Sequence, residues 1–530
     1  MKTTLTVLGI MLFIMSGFDA DAQNIFRSRI SGNWNIPSTW EVSTNNGSTW
    51  STSVSSYPTA DSAGSVNIRS PHTVTVPAGT TIPVDQLTID NGSAVSLSSS
   101  SFLEIRQGSG DDMTMSGGTV SGAGTLKLNG SGLTFVKNSG SVVSCALKVS
   151  ADANVYCANF PNVADFSGIV TVDAGAVFAT QPGGYTTQFL ANVTNNGTIA
   201  TGNSSGNNDF KGATLVNNGS ISSYNLSFSD TITVSGAGTW PAVSINVNSG
   251  AMFRLGSDVT IGTASGSTFT VAGGGTLNPN NHIFRMDGTT GSKTLRINGG
   301  GSSLNSGSIE MLGSVTLDLV TSSIFNTRLR IVNGVTSAYC SNFPNVGIFG
   351  DKITIDALAE LRVLAGGYTL RFMDSVDCAG ILSTGNSSGS IEFYGPVLVN
   401  TGNISSNNVY INDTLNVSGA GAWSATNVYV NNGGLLLMQS NMSVSTSAAN
   451  LMQINSGGRI DMNGFILTLD GTSVSKFFRM IDGSVTGSLG NLNTLGNVTF
   501  DLLNTSSFNV RLKVVTGTTT VYSSNVPNVA

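Results

Sequence analysis

The chain has 530 residues and a formal net charge of -6 at pH 7, and only 10% of its residues are charged, where about 25% is usual. This acidic balance excludes a nucleic-acid-binding protein, and the scarcity of strong helix formers beside 64 glycines excludes a helix-rich fold. A hydrophobic content of 40% argues against disorder.

Residues 1–22 have the pattern of a secretory signal peptide. Lys2 supplies the positive start, residues 5–18 form an apolar stretch too short to span a bilayer, and Ala20-Asp21-Ala22 is a small-x-small cleavage site. We therefore expect a mature chain from Gln23 that is secreted or displayed on the bacterial cell surface. No later apolar run is long enough to cross a bilayer as a helix, so we expect no membrane span in the mature chain.

Residues 23–65 are predicted to form an N-terminal cap. This segment holds Trp34, Trp40 and Trp50, three of the five tryptophans. The open end of a stack of strands exposes unpaired backbone groups and must be covered.

Beyond the cap, short alternating runs such as VTV, LTI, LKL and TITV are separated by glycine corners. The alternation is typical of half-buried strands, and glycines such as Gly175, Gly197, Gly219 and Gly250 can take the positive φ of a turn. Strands at this spacing predict an all-β, elongated parallel β-solenoid (β-helix). The alternative is a string of tandem β-sandwich domains.

A long internal repeat organises the chain. YCANFPNV begins at Tyr156, YCSNFPNV at Tyr339 and YSSNVPNV at Tyr522, so equivalent positions recur at a constant offset of 183. The chain ends inside a further copy, so we expect a truncated or fragmentary sequence, because solenoids end in caps. The predicted segments are a partial unit at 66–155, repeat copy 1 at 156–338, repeat copy 2 at 339–521, and the start of another copy at 522–530.

The segment SGNWNIPSTWE (31–41), with SYPTADSAGSVNIRSPHTVTVPAG (56–79) and LTIDNGSAVSL (87–97), resembles the N-terminal module of large secreted surface proteins of the Bacteroidetes group. The resemblance covers roughly residues 24–130. It implies a right-handed parallel β-helix and export by the group's own outer-membrane route. It implies no catalytic residues.

Residue types that carry out catalysis are scarce. His72 and His282 are the only histidines and have no metal-ligand spacing, and we expect no cofactor. The four cysteines, Cys145, Cys157, Cys340 and Cys378, match no metal or redox motif, and we interpret them as buried thiols rather than disulfides.

Several charged residues occur in both repeat copies, which favours structural roles because an active site rarely occurs twice in an array. Asp-Gly pairs among them are typical of turns. The acidic pairs are Asp173/Asp356, Asp209/Glu392, Asp230/Asp413, Asp287/Asp470 and Asp318/Asp501; the basic pairs are Lys293/Lys476, Arg296/Arg479, Arg328/Arg511 and Arg330/Lys513.

The best candidate for a binding surface is a duplicated loop, ATGNSSGNNDFKG at 200–212 and STGNSSGSIEFYG at 383–395. Amides, hydroxyls, one carboxylate and one aromatic ring could bind a sugar, or Ca²⁺ weakly; the alternative is a long polar corner. The candidate residues are Asn203, Ser204, Asp209 and Phe210 in the first loop and Asn386, Ser387, Glu392 and Phe393 in the second.

Two functions remain open from the sequence. The first is a non-enzymatic structural or adhesive repeat protein, a stalk or matrix component whose partners are extracellular glycans or other surface proteins. The second is a carbohydrate-binding or carbohydrate-active parallel β-helix protein, which rests on fold analogy alone.

Overall fold

The protein is a parallel β-solenoid in which three strands make one coil. This computed structural model describes residues 24–156, 163–181, 183–201, 205–262, 266–299, 301–302, 307–320, 324–340, 345–364, 366–385, 388–445, 450–487 and 489–524. Within these ranges the only helix is a 3-10 turn at Pro37–Thr39, and no helix could cross a membrane. The predicted signal peptide lies outside the described residues. The chain divides into an N-terminal unit that ends at Cys145 and a C-terminal unit that begins at Ala146.

The described part of the N-terminal unit, residues 24–145, holds fourteen strands. They are β1 Asn24–Ser28, β2 Gly32–Asn33, β3 Trp40–Ser43, β4 Ala63–Ile68, β5 Thr73–Val76, β6 Thr81–Val84, β7 Leu87–Ile89, β8 Ala94–Leu97, β9 Phe102–Ile105, β10 Met113–Met115, β11 Thr119–Gly122, β12 Thr125–Leu128, β13 Leu133–Lys137 and β14 Val142–Val143.

Three parallel sheets form the N-terminal unit, and successive coils add one strand to each. Their orders are β1-β4-β7-β10-β13, β2-β5-β8-β11-β14 and β6-β9-β12. In β5 the alternation TVTV turns Val74 and Val76 into the core and leaves the threonines outside. The alternation of threonine and valine therefore gives this strand an apolar inner face and a polar outer face.

The predicted cap segment contains the antiparallel strand pairing of this unit. β3 runs antiparallel to β1 at the edge of the first sheet, with Phe26 opposite Val42. Trp34 and Trp40 are fully buried with ring centroids 4.9 Å apart, and Trp50 lies 3.8 Å beneath the guanidinium of Arg27. The two buried indole N–H groups donate to backbone oxygens of Pro58 and Trp34, at 2.9 and 2.7 Å. β3 thus pairs with backbone groups of β1 that an open sheet edge would leave exposed.

Among its described residues the C-terminal unit holds forty-six strands, which are given in two sets in chain order. The first set is β15 Ala146–Val149, β16 Ala153–Tyr156, β17 Val163–Phe166, β18 Val170–Val172, β19 Val177–Thr180, β20 Thr186–Phe189, β21 Val193–Asn195, β22 Thr198–Thr201, β23 Asn207–Phe210, β24 Thr214–Asn217, β25 Ser220–Ser222, β26 Asn225–Phe228, β27 Thr231–Ser235, β28 Ser244–Val247, β29 Met252–Leu255, β30 Val259–Ile261, β31 Thr268–Val271, β32 Thr276–Asn278, β33 Ile283–Asn298, β34 Gly301–Ser302, β35 Ser308–Val320, β36 Ile324–Phe325 and β37 Arg328–Tyr339. The second set is β38 Val346–Phe349, β39 Ile353–Ile355, β40 Ala359–Val363, β41 Thr369–Phe372, β42 Val376–Cys378, β43 Ile381–Ser383, β44 Ser390–Phe393, β45 Val397–Asn400, β46 Asn403–Ser405, β47 Asn408–Ile411, β48 Thr414–Ser418, β49 Ala422–Trp423, β50 Asn427–Val430, β51 Leu435–Met438, β52 Met442–Ser445, β53 Asn450–Ile454, β54 Arg459–Asp461, β55 Ile466–Ile481, β56 Ser484–Thr486, β57 Asn491–Leu503, β58 Ser507–Phe508, β59 Arg511–Val514 and β60 Thr519–Ser524.

The internal repeat is visible in the strands themselves. The long strands β33 and β35 recur as β55 and β57 at the same offset, and so does β20 as β41. Successive coils pair in parallel, for example β20 with β23 and β41 with β44. The solenoid prediction is therefore confirmed, and the tandem β-sandwich alternative is wrong, because a sandwich is built from antiparallel sheets.

A column of phenylalanine rings fills the core of each repeat copy. Each ring is buried and packs against the ring one coil away. The centroid distances in copy 1 are 6.4 Å for Phe166–Phe189, 4.7 Å for Phe189–Phe210 and 5.9 Å for Phe210–Phe228; in copy 2 they are 5.5 Å for Phe349–Phe372 and 5.7 Å for Phe372–Phe393. Such pairs add to the stabilisation that burial alone provides.

The corner glycines serve two different needs. Gly175 and Gly250 have φ of 82° and 78°, as the turn prediction expects. Gly197 and Gly219 do not have positive φ. A Cβ at Gly197 would fall on the carbonyl oxygen of Ala176, and one at Gly219 on that of Gly197. At these two corners glycine is needed because neighbouring coils approach too closely for any side chain.

Buried asparagines connect coils at the corners of Gly197 and Gly219. The Asn195 side-chain amide donates to Asn217 Oδ1 at 2.9 Å, and that of Asn217 donates to the Thr239 carbonyl oxygen at 3.2 Å. In copy 2 the position of Asn195 is Cys378, whose thiol donates to the Gly380 carbonyl oxygen at 3.5 Å. This cysteine therefore occupies a structural position.

Cys145, Cys340 and Cys378 are free, buried thiols, and Cys157 lies outside the described residues. Burial raises the pKa of Cys145 to about 11 and that of Cys340 and Cys378 to about 12. In a Cys157→Ser variant we expect almost no labelling by an aromatic disulfide reagent at pH 8, because the reactive thiolate is scarce. Labelling of all three remaining thiols is expected after denaturation in guanidinium. Rapid labelling of the native protein would contradict this arrangement.

Candidate binding site

The two described candidate residues of the first predicted loop, Asp209 and Phe210, make separate contacts. The carboxylate of Asp209 accepts a hydrogen bond from Ser229 Oγ at 2.7 Å and lies 3.5 Å from the Lys211 ammonium. Phe210 belongs to the buried phenylalanine column. Asn203 and Ser204 lie outside the described residues.

The second loop repeats this arrangement with different partners. Glu392 accepts a hydrogen bond from Arg371 Nε at 2.8 Å, and the guanidinium of Arg371 lies 5.0 Å from the Tyr394 ring centroid. Phe393 is buried in its own column. Asn386 and Ser387 lie outside the described residues. The structure thus places both carboxylates in ion pairs on the outer face and both rings inside the solenoid.

Several duplicated charges make the same contacts in both copies. Asp287 accepts hydrogen bonds from the backbone N–H and hydroxyl of Thr289, and Asp470 does so from Thr472. The hydrogen bonds from Thr472 lower the pKa of Asp470. The ion pairs Arg296–Asp318 and Arg479–Asp501 join neighbouring strands at 2.7 and 3.0 Å. The prediction that the Asp287-Gly288 and Asp470-Gly471 pairs form turns is wrong, because both pairs lie within the long strands β33 and β55, where the pairing register shifts after the glycine. The contacts therefore stabilise irregular strand segments and coil-to-coil pairing.

Each of the two histidines lies close to one polar side chain. His72 Nδ1 lies 2.9 Å from Ser28 Oγ, and His282 Nδ1 lies 3.7 Å from Asp258 Oδ1. Among the described residues, no group of three or more His, Cys, Asp or Glu side chains is arranged to hold a metal ion.

A surface cavity of about 650 Å³ lies in repeat copy 2, next to the start of the second predicted loop. Its wall follows β40, β43 and β46, which pair in parallel, so that Glu360, Ile381 and Asn403 stand in one row and Arg362, Ser383 and Ser405 in another. The lining residues are Glu360, Arg362, Ile381, Ser383, Thr384, Gly385, Asn403, Ser405, Ser406, Asn407, Ser424 and Thr426.

One ion pair dominates the electrostatics of this cavity. Arg362 donates from Nε and Nη2 to the two oxygens of Glu360 at 2.8 and 2.6 Å, and Ser383 Oγ donates to Glu360 Oε1 at 2.6 Å. The hydrogen bonds from Arg362 lower the pKa of Glu360, and the same pair raises the pKa of Arg362. Both groups are therefore charged at neutral pH, and their charges cancel within the cavity.

The corresponding positions in repeat copy 1 have a different chemistry. Eight of the twelve lining positions differ between the copies at the offset of 183. The copy 1 residues at those eight positions are Val177, Ala179, Thr198, Ala200, Ser220, Tyr224, Pro241 and Val243. The strands occupy equivalent positions in the two copies, whereas the residues at the lining positions differ. This set of polar groups therefore belongs to copy 2 only. The sequence pattern of the duplicated loop predicted a site at Ser383–Gly395 but did not include Glu360, Arg362 and Asn403. A position-by-position comparison of the two repeat copies identifies these residues, because they differ between the copies.

Beside the cavity, the outer face of β47 and β50 carries two stacked tyrosines. The rings of Tyr410 and Tyr429 lie 5.0 Å apart with an interplanar angle of 14°. Asn427 donates to Asn408 Oδ1 at 2.9 Å in the adjacent row. Copy 1 has Ser227 and Asn246 at the tyrosine positions. The tyrosines pair with each other, which gives a ladder that supports the strands next to the cavity.

The fold and this site define the chain as a parallel β-solenoid protein built from internal repeats, with a polar cavity among repeated structural contacts. Comparison with protein-family models, curated proteins and solved structures finds no significant match for this chain.

Proposed function

We propose that the protein is an exported, non-catalytic repeat protein of the bacterial cell surface or its surroundings, acting as a stalk, matrix component or adhesin. The observation that carries the proposal is the use of duplicated charges in the same structural contacts in both copies, as in Asp287–Thr289 and Asp470–Thr472. A repetitive stack of this kind presents the same outer face of small polar side chains in successive coils. The signal-peptide pattern of residues 1–22 supports export.

The export proposal predicts cleavage after Ala22. The full chain and a chain lacking residues 2–22 are to be expressed in a Bacteroidetes host, and intact cells treated with an external protease. We expect the full chain to be accessible or released, with a mass that matches a start at Gln23. The shortened chain should stay protected inside the cells. Protection of the full chain with residues 1–22 retained would contradict export.

The second candidate function is a carbohydrate-active β-helix enzyme, which the polar cavity of copy 2 favours as a place for a carbohydrate. A polysaccharide panel with acidic and neutral members separates the two functions. Release of reducing ends that is lost on Asp209→Asn with Glu392→Gln, or on Glu360→Gln, would overturn the non-catalytic proposal. Binding without release agrees with it.

A further inference from the structure

We propose that the cavity of repeat copy 2 binds an uncharged glycan through the hydroxyl and amide groups that line it. This inference names a ligand for the adhesive role proposed above and rests on that role. The cavity volume of about 650 Å³ is within the range of small-molecule sites.

The first argument is the polar lining. Serine, threonine and asparagine side chains both donate and accept hydrogen bonds. A ligand that uses such a lining fully has many groups that also do both, which is the property of a sugar. The residues with these side chains are Ser383, Thr384, Asn403, Ser405, Ser406, Asn407, Ser424 and Thr426. Ser383, Thr384 and Ser406 are buried and already make hydrogen bonds within the protein, so the more accessible members of this set are Asn403, Ser405, Asn407, Ser424 and Thr426.

The second argument is an unused acceptor in the wall. Asn403 Oδ1 is buried and has no hydrogen-bond partner among the described residues, a state that it shares with eight other side-chain atoms. Buried polar atoms usually have a partner, and Asn403 is the one of these nine whose residue lines the cavity. Because Oδ1 has almost no exposed surface, a ligand hydroxyl reaches it only after the side-chain amide rotates toward the cavity. Copy 1 has Ser220 at this position. A hydroxyl of a bound sugar would satisfy Asn403.

The third argument is one apolar contact inside the polar rim. Ile381 is 39% exposed and stands in the same row as Glu360 and Asn403. A pyranose ring has an apolar C–H face and a hydroxylated edge, so it can pack on Ile381 while its hydroxyls meet the surrounding side chains. Copy 1 has Thr198 at this position.

The charge balance selects an uncharged ligand. The lining carries one carboxylate and one guanidinium, and these two groups hold each other through two hydrogen bonds. An anionic sugar would have to compete with Glu360 for Arg362. The ionised carboxylate of Glu360 still has acceptor positions for hydroxyl donors.

The test is affinity electrophoresis of the full chain in gels that contain a neutral polysaccharide (dextran, mixed-linkage β-glucan or galactomannan) or an acidic one (alginate or polygalacturonate). We expect retardation by at least one neutral polysaccharide and none by the acidic ones. The test variant, Glu360→Val with Arg362→Ala, installs the residues of copy 1, which the fold already accommodates there. It should weaken the apparent affinity about tenfold or more, since charge-assisted hydrogen bonds are lost.

A second variant fills the cavity. Asn407→Tyr introduces the copy 1 residue Tyr224 and should abolish retardation while circular dichroism stays that of the wild type. The matched control is Tyr429→Asn, also a copy 1 residue but outside the lining, which should be retarded like the wild type. Wild-type mobility in every neutral gel, retardation by the acidic polymers alone, or unchanged retardation of both cavity variants would each overturn the inference.

Export and binding fail separately in these experiments. A chain that binds in the gel but stays inside cells refutes the surface location and leaves the cavity assignment standing. A chain that is exported but binds no neutral polysaccharide refutes the cavity assignment alone.

Discussion

Replacing Gly313 with alanine should lower the free energy of unfolding by roughly 3 kcal/mol, through an unfavourable φ and a backbone clash together. Gly313 has φ of 68°, and a Cβ there would lie 2.5 Å from the carbonyl carbon of Gly288 and the amide nitrogen of Thr289. Both atoms belong to the backbone of the preceding coil and cannot rotate away. Gly334 follows in the next coil, where a Cβ would lie 2.6 Å from the Gly313 carbonyl oxygen.

The control for this prediction separates the clash from the φ angle. Gly433 has φ of 82°, but a Cβ there would have no atom of the described residues within 4 Å. Gly433→Ala should therefore cost only about 1 kcal/mol, the strain of the left-handed conformation. Denaturant unfolding followed by circular dichroism compares the two variants. Equal losses of unfolding free energy in the two variants would show that the close contacts of Gly288, Gly313 and Gly334 do not limit the distance between coils.

The second large effect is expected from Phe210→Ala, which should lower the free energy of unfolding by roughly 3 to 5 kcal/mol. Phe210 has no exposed surface and packs between Phe189 and Phe228, with centroid distances of 4.7 and 5.9 Å. Removing the ring leaves a void that the rigid coils on both sides cannot close. Phe210→Leu keeps most of the volume and should cost less than half as much.

The same substitution in copy 2, Phe393→Ala, provides a matched comparison because this ring packs on Phe372 at 5.7 Å. Both alanine variants should shift the unfolding midpoint, measured by denaturant titration. A small shift together with loss of glycan binding would instead assign these rings to a ligand surface, as the loop pattern suggests.

The architecture was predictable because local rules act alike in every coil. Alternating runs such as TVTV at β5 turn valines inward, and glycine marks the corners. The reason for glycine at Gly197 and Gly219 was not predictable in this way, since it depends on the distance to the preceding coil. Two glycines with the same predicted role as Gly175 therefore serve a contact between coils rather than a turn angle.

The candidate site was only partly predictable. The duplicated loop contains Ser383 and Thr384, which line the cavity, but Glu360 and Asn403 come from neighbouring coils that no local pattern connects to it. The inward direction of Phe393 follows from the alternation within β44, where Ile391 and Phe393 lie on the same buried face. In β23 the residue two positions before Phe210 is Asn208, which is polar although buried, so the sequence alternation did not predict the inward direction of Phe210.

The constant offset between the two repeat copies has a genetic consequence. Equivalent strands such as β33 and β55 have the same length, and their side chains alternate between the inner and outer faces in the same order. Recombination between equivalent codons would therefore insert or delete a whole copy without changing any strand register. Such an exchange between the two copies could also transfer the cavity residues or erase them in a single event. Variation in copy number and variation in ligand binding would then arise by the same process, while the core packing at each junction stays as it is.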